Sequence, residues 1–83
     1  MAIKKRNVMQ VGDIWSIGQA TFERENKRVK AGSEATNQPV YEISRIVKIQ
    51  RIEEGTRYVH VTDTKTGTPM IISITGFGKK QST

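Results

Sequence analysis

The sequence predicts a mainly β domain: a small barrel of about five short strands, with a long variable segment over residues 18–39 after the first strand. Three observations carry this reading. A nearly alternating, β-branched run spans residues 40–52. Two short turns with a late glycine, Glu53-Glu54-Gly55-Thr56 and Asp63-Thr64-Lys65-Thr66-Gly67, separate it from two further β-prone runs. No segment carries an apolar stripe wide enough for a core-facing helix. Closing the strands into a barrel would remove the edges that an open sheet of this size exposes.

Taken in order, residues 1–7 are polar and basic and read as a flexible arm. The single domain is expected over residues 8–78, and residues 79–83 as a flexible tail. Val8 to Ile17 is strand-like, with Gly12-Asp13 as a turn or bulge and Ile14-Trp15-Ser16-Ile17 as its β-prone core. Residues 20–31 read first as a mobile basic loop or open hairpin, second as a short helix. For the helix stand the Glu23/Lys27 spacing and Gly32 as a C-cap. Against it, Phe22 and Val29 are the only large apolar residues there.

From Val40 to Ile52 the odd positions Tyr41, Ile43, Val47 and Ile49 form the buried face, with Arg45 and Arg51 in the same register. A bend near Ser44-Arg45 would carry Arg45 outward; failing that, it needs a carboxylate such as Asp13. After the first turn, Val59 and Val61 point inward and Tyr58, His60 and Thr62 outward. In the third run Met70, Ile72 and Ile74 share one face, and Pro69 marks an edge.

Fourteen Lys and Arg oppose eight Asp and Glu, a net charge of +6. Such a surface attracts polyanions or acidic protein faces. With one histidine and no cysteine, the chain lacks the usual material for a catalytic constellation or a metal centre. Gly76-Phe77-Gly78-Lys79 is too short for a phosphate loop. We therefore expect no enzyme, no metal and no cofactor. No apolar run nears the ~18 residues needed to span a bilayer, so no membrane partner is expected. The basic start is not followed by an apolar signal core, and the cytoplasm is the expected compartment.

Candidate phosphate-binding residues are Lys4, Lys5 and Arg6 in the arm and Arg24, Lys27, Arg28 and Lys30 in the variable segment. Glu23 and Glu25 dilute the field of the second group. On the outward strand face Lys48, Tyr58 and His60 could combine, with Gln50 and Thr62 beside them, into a cation-and-ring surface for unpaired bases. The bland alternatives are a solvated tail, a solvated loop and an ordinary half-exposed sheet face. Trp15 reads as a core anchor; exposed, it would join Phe22 and Phe77 as anchors for a protein partner.

Val11-Gly12-Asp13-Ile14-Trp15 resembles the opening strand of SH3-like barrels of the KOW and Tudor types, where a Gly-Asp pair precedes an apolar strand. Residues 18–39 would then resemble their first variable loop, and Asp63–Gly67 a later tight hairpin. The resemblance implies a binding module for nucleic acid or a protein partner. A Tudor-like aromatic cage does not map, since Trp15, Tyr41, Tyr58, Phe22 and Phe77 are the only rings of that kind.

The leading expectation is a small, basic, non-catalytic DNA- or RNA-binding module with low sequence specificity. The alternative is an adaptor or inhibitor, of the size that phages and other mobile elements often encode, docking on an acidic surface of a larger protein machine. A homodimer through the Tyr58/His60 face, or a subunit of a larger assembly, are further expectations.

Overall fold

Where apolar residues alternate, the chain forms strands. The computed structural model describes residues 9–39 and 41–82. In chain order these form β1 (Ile14–Ile17), α1 (Gln19–Ala35), β2 (Ile46–Ile52), β3 (Tyr58–Asp63), β4 (Pro69–Ser73), a 3-10 turn (Ile74–Gly76) and β5 (Phe77–Ser82). The strands make one antiparallel sheet in the order β4-β3-β2-β1-β5. Among the described residues β4 and β5 do not pair, so the expected barrel is not closed. The expected tail from residue 79 is instead the second half of β5, paired with β1 through Trp15↔Lys80 and Ile14↔Ser82.

The core is the inner face of this sheet. Trp15, Ile17, Val47, Ile49, Val59, Val61, Met70 and Ile72 are buried, joined by Met9 and Ile43. Inward and outward positions of β3 fall as the alternation predicts. Gly55 and Gly67 hold φ of 78° and 77°, which a side chain would strain, so each hairpin turns where its glycine stands. The carboxylate of Asp63, buried at the β3–β4 turn, accepts from the N–H groups of Lys65 (3.2 Å) and Thr66 (2.7 Å) and from that of Ser44 (2.8 Å). One side chain thus shapes the turn and pins the approach to β2.

The β2 prediction needs two corrections. Residues 41–45 precede the strand rather than belonging to it. The expected bend is present at Arg45, and an unforeseen bulge follows further on: Ile49 faces Val61, and Arg51 faces His60. The extra residue is Gln50. After it the pattern changes phase, so Arg51 points outward and Ile52 packs against the core. Arg45 is exposed, its guanidinium 5.9 Å from the Phe22 ring centre, and Asp13 pairs with Lys80 instead (3.8 Å).

The largest departure is α1. The favoured loop or hairpin is a 17-residue helix, Gln19–Ala35. Its sequence is rich in Ala, Glu, Lys and Arg, all strong helix formers. Gln19 donates to Glu23 one turn on (2.7 Å). The helix runs through Gly32, the expected cap, and stops at Asn37, which takes the left-handed conformation (φ 58°). There Gln38 N–H donates to the Ser33 carbonyl and Asn37 N–H to that of Glu34 (2.9 and 3.3 Å), and Pro39 prevents resumption. Its inward face is mostly polar. Thr21 and Glu25 are buried, while Phe22 and Val29 only partly contact the core. Asn26 Oδ1 accepts from Ile43 N–H (3.1 Å), and Thr21 sits against Gly76, where an added Cβ would lie 2.7 Å from Thr21 Oγ1.

Candidate functional site

The bulge builds the site. Because Gln50 is extra, Lys48, Gln50 and Arg51 all emerge on the outward face of β2. Beside them stand Tyr58, His60 and Thr62 of β3, and Ile71 of β4 lies opposite His60. Lys48 pairs across the ladder with Thr62. Gln50 Nε2 donates to Thr62 Oγ1. His60 Nε2 lies 2.7 Å from Glu53 Oε2 and 3.0 Å from Arg51 Nη2, so the imidazole is held between a carboxylate and a guanidinium. Tyr58 and Ile71 have no such ties among the described residues: 49% and 54% exposed, they are the large apolar groups of this face.

The helix reaches the same place. Arg28 donates from Nε and Nη2 to Glu25 Oε1 (3.0 and 2.8 Å), and Arg24 Nε stands 3.5 Å from the other oxygen. The Glu25 carboxylate is buried and serves both guanidiniums, whose outer parts remain in solvent. Between helix and strands lies an open hollow of about 460 Å³ lined by Glu25, Arg28, Gln50, His60, Thr62 and Ile71, among others. It joins a helix cation to the cation-and-ring face of the sheet.

Eleven of the Lys and Arg residues lie in the described part, and every one is exposed. Three carboxylates, Asp13, Glu25 and Asp63, are turned inward. Asp13 accepts from Gln10 N–H (2.8 Å). The acidic complement at the surface is thinner for it, and ion pairs among the described residues engage only Arg24, Arg28, Arg51 and Lys80 of the cations.

Of the residues singled out from sequence, Lys48, Tyr58 and His60 share one face, and Arg28 meets His60 across the hollow, which Lys48 and Tyr58 do not line. Arg24 is tied to the same carboxylate. Lys27 and Lys30 are exposed on α1 but do not line the hollow. Lys4, Lys5 and Arg6 lie outside the described residues. The three proposed protein anchors are not exposed. Trp15 is buried edge-on to Phe77 (6.1 Å between ring centres, 74° between planes), and Phe22 and Phe77 pack against the core. Trp15 thus has no free face for a partner, whereas Phe22 and Phe77 are only half-buried. The sequence reading missed Arg51, which the bulge turns outward, and Ile71, whose outward position followed from the inward Met70 and Ile72. No group of three or more His, Cys, Asp or Glu gathers as a ligand set among the described residues. No helix among them is long and apolar enough to cross a membrane.

Comparison with protein-family models, with curated proteins and with solved structures finds no match to this chain.

Proposed function

We propose that this protein is a small non-catalytic module that binds nucleic acid, single strands in particular, with little sequence preference. The observation that carries the reading is the shared hollow, which sets Arg28 of α1 against His60, Gln50 and Ile71 of the sheet. Arg28 at its rim suits a phosphate, and the exposed Tyr58 ring, outside the hollow on the same outward face, suits an unpaired base. Stacking of one base on such a ring contributes ~1–3 kcal/mol. The sheet order, with the variable segment placed after the first strand, is compatible with the SH3-like layout and supports a binding role by analogy alone.

The test is fluorescence anisotropy with a labelled oligonucleotide, single-stranded and duplex, from 50 to 200 mM salt. With about five phosphate contacts, the log–log slope is expected near −3.5 on single strands and −4.5 on duplex. Tyr58→Ala should weaken single-strand binding about tenfold while leaving the slope unchanged. Absence of binding at 50 mM salt, or a flat slope, removes the reading.

A second reading, docking on an acidic protein surface, is favoured by the uncharged exposed pair Tyr58 and Ile71 amid the cations. A stoichiometric protein captured from lysate after nuclease digestion, by a module that fails the anisotropy assay, would select it.

A further inference from the structure

The two edges of the sheet are not alike. β5 carries Lys79 and Lys80, the charges with which edge strands commonly repel one another. β4 reads Pro69-Met70-Ile71-Ile72-Ser73 and carries no charge at all. In a chain of net charge +6 this is the uncharged edge.

Among the described residues no strand pairs with its outer backbone groups. At one end of the β3–β4 ladder Asp63 N–H donates to the Thr68 carbonyl (2.8 Å), and at the other Ile74 N–H donates to that of Arg57 (2.6 Å). These bonds fix the parity of the ladder between them. Met70 and Ile72 turn their backbone groups toward β3, whereas Pro69, Ile71 and Ser73 turn theirs to the free edge. The outward set is self-complementary about Ile71. In a two-fold antiparallel pairing, Ile71 would exchange N–H···O bonds with the partner's Ile71. Ser73 N–H would donate to the carbonyl of the partner's Pro69, and the reverse. The missing N–H of Pro69 is the one gap in the pattern. The half-exposed Ile71 side chains would meet at the axis and bury each other.

We propose that two copies of this chain associate through β4, centred on Ile71, into one continuous sheet. The charge argument selects a second copy, since β4 itself brings no cation to the pairing, and Arg28, across the hollow from Ile71, is tied to Glu25. The pairing places the two outward faces side by side, with β3 about 14 Å from the partner's β3, three strand spacings of ~4.8 Å. It shares Ile71 with the hollow but does not require nucleic acid, and it has its own readout.

Sedimentation of nucleic-acid-free protein, up to roughly 1 mM because a pairing of two short strands is small, should show monomer passing to dimer. The dimer should tighten from 50 to 500 mM salt as net repulsion is screened, the opposite of nucleic-acid binding. Ile71→Lys sets like charges face to face and should weaken the dimer tenfold or more, with far-UV circular dichroism confirming the fold. The chain has no cysteine, so Ile71→Cys is a clean probe. Its Cα atoms would stand about 5.5 Å apart, within disulfide reach, and oxidation should trap the dimer. Ser73→Cys, offset by four residues or ~13 Å from its own copy, should not cross-link. A protein that stays monomeric at 1 mM overturns the proposal. So does a dimer indifferent to Ile71→Lys, or one that Ser73→Cys traps and Ile71→Cys does not.

Discussion

The meander of β2, β3 and β4 and the helix α1 are built on opposite principles. The inner face of the meander is apolar up to Asp63 at the end of β3: Val47, Ile49, Val59, Val61, Met70 and Ile72 are all within 3% of complete burial. The helix turns Thr21, Glu25 and Asn26 inward and contributes Phe22 and Val29 only in part. The sheet is held by exclusion of water from apolar surface, a term that grows with area. The helix is held by few contacts: Asn26 Oδ1 accepts from the Ile43 amide, Thr21 fits closely against Gly76, and Phe22 and Val29 add partial apolar packing, while Glu25 ties the helix's own arginines. The first interface tolerates a change of charge nearby; the second depends on a few atoms staying where they are.

This contrast can be broken by substitution. Ile49→Ala, at a fully buried position of β2, should cost about 2–5 kcal/mol in denaturant unfolding, through lost transfer energy and the cavity left behind. A cost under about 1 kcal/mol would mean that the meander is not the stabilising core. Gly76→Ala should cost about 1–3 kcal/mol, since its new Cβ would meet Thr21 Oγ1 at 2.7 Å and Ile72 Cγ2 at 3.1 Å. Amide exchange should locate the loss in the first turns of α1 and spare β3; uniform loss would show that helix and sheet are one cooperative unit. Glu25→Gln should cost only about 1 kcal/mol, because the arginines it anchors are largely solvated. The same change removes a negative charge from the hollow, so oligonucleotide affinity should rise as stability falls. A drop in both would assign Glu25 to positioning Arg28 for the ligand.

The two regions also differ in how openly the sequence declared them. Alternation at Val59–Val61 and Met70–Ile72 and the glycines at 55 and 67 reported the meander directly, because burial of one strand face and a positive φ each demand a residue type. The helix left no such trace. Its inward positions 21, 25 and 29 are spaced correctly for one face, but Thr and Glu in that row read as solvent-facing. The bulge at Gln50 was equally silent, since an extra residue in an alternating run looks like a longer run. The outward positions of Lys48, Tyr58 and His60 were legible for the reason β3 was. The approach of Arg28 to His60 depends on the packing of α1, a long-range arrangement that local pattern does not encode.

Trp15 has an optical consequence. The chain's one indole is packed against Phe77 in the seam between β1 and β5, on the side of the sheet away from the Tyr58 ring. Its ultraviolet emission should therefore shift to longer wavelength when that seam parts and stay nearly constant when a polyanion settles on the outward face. Unlabelled protein can thus tell an opened terminal strand from an occupied surface in a single spectrum.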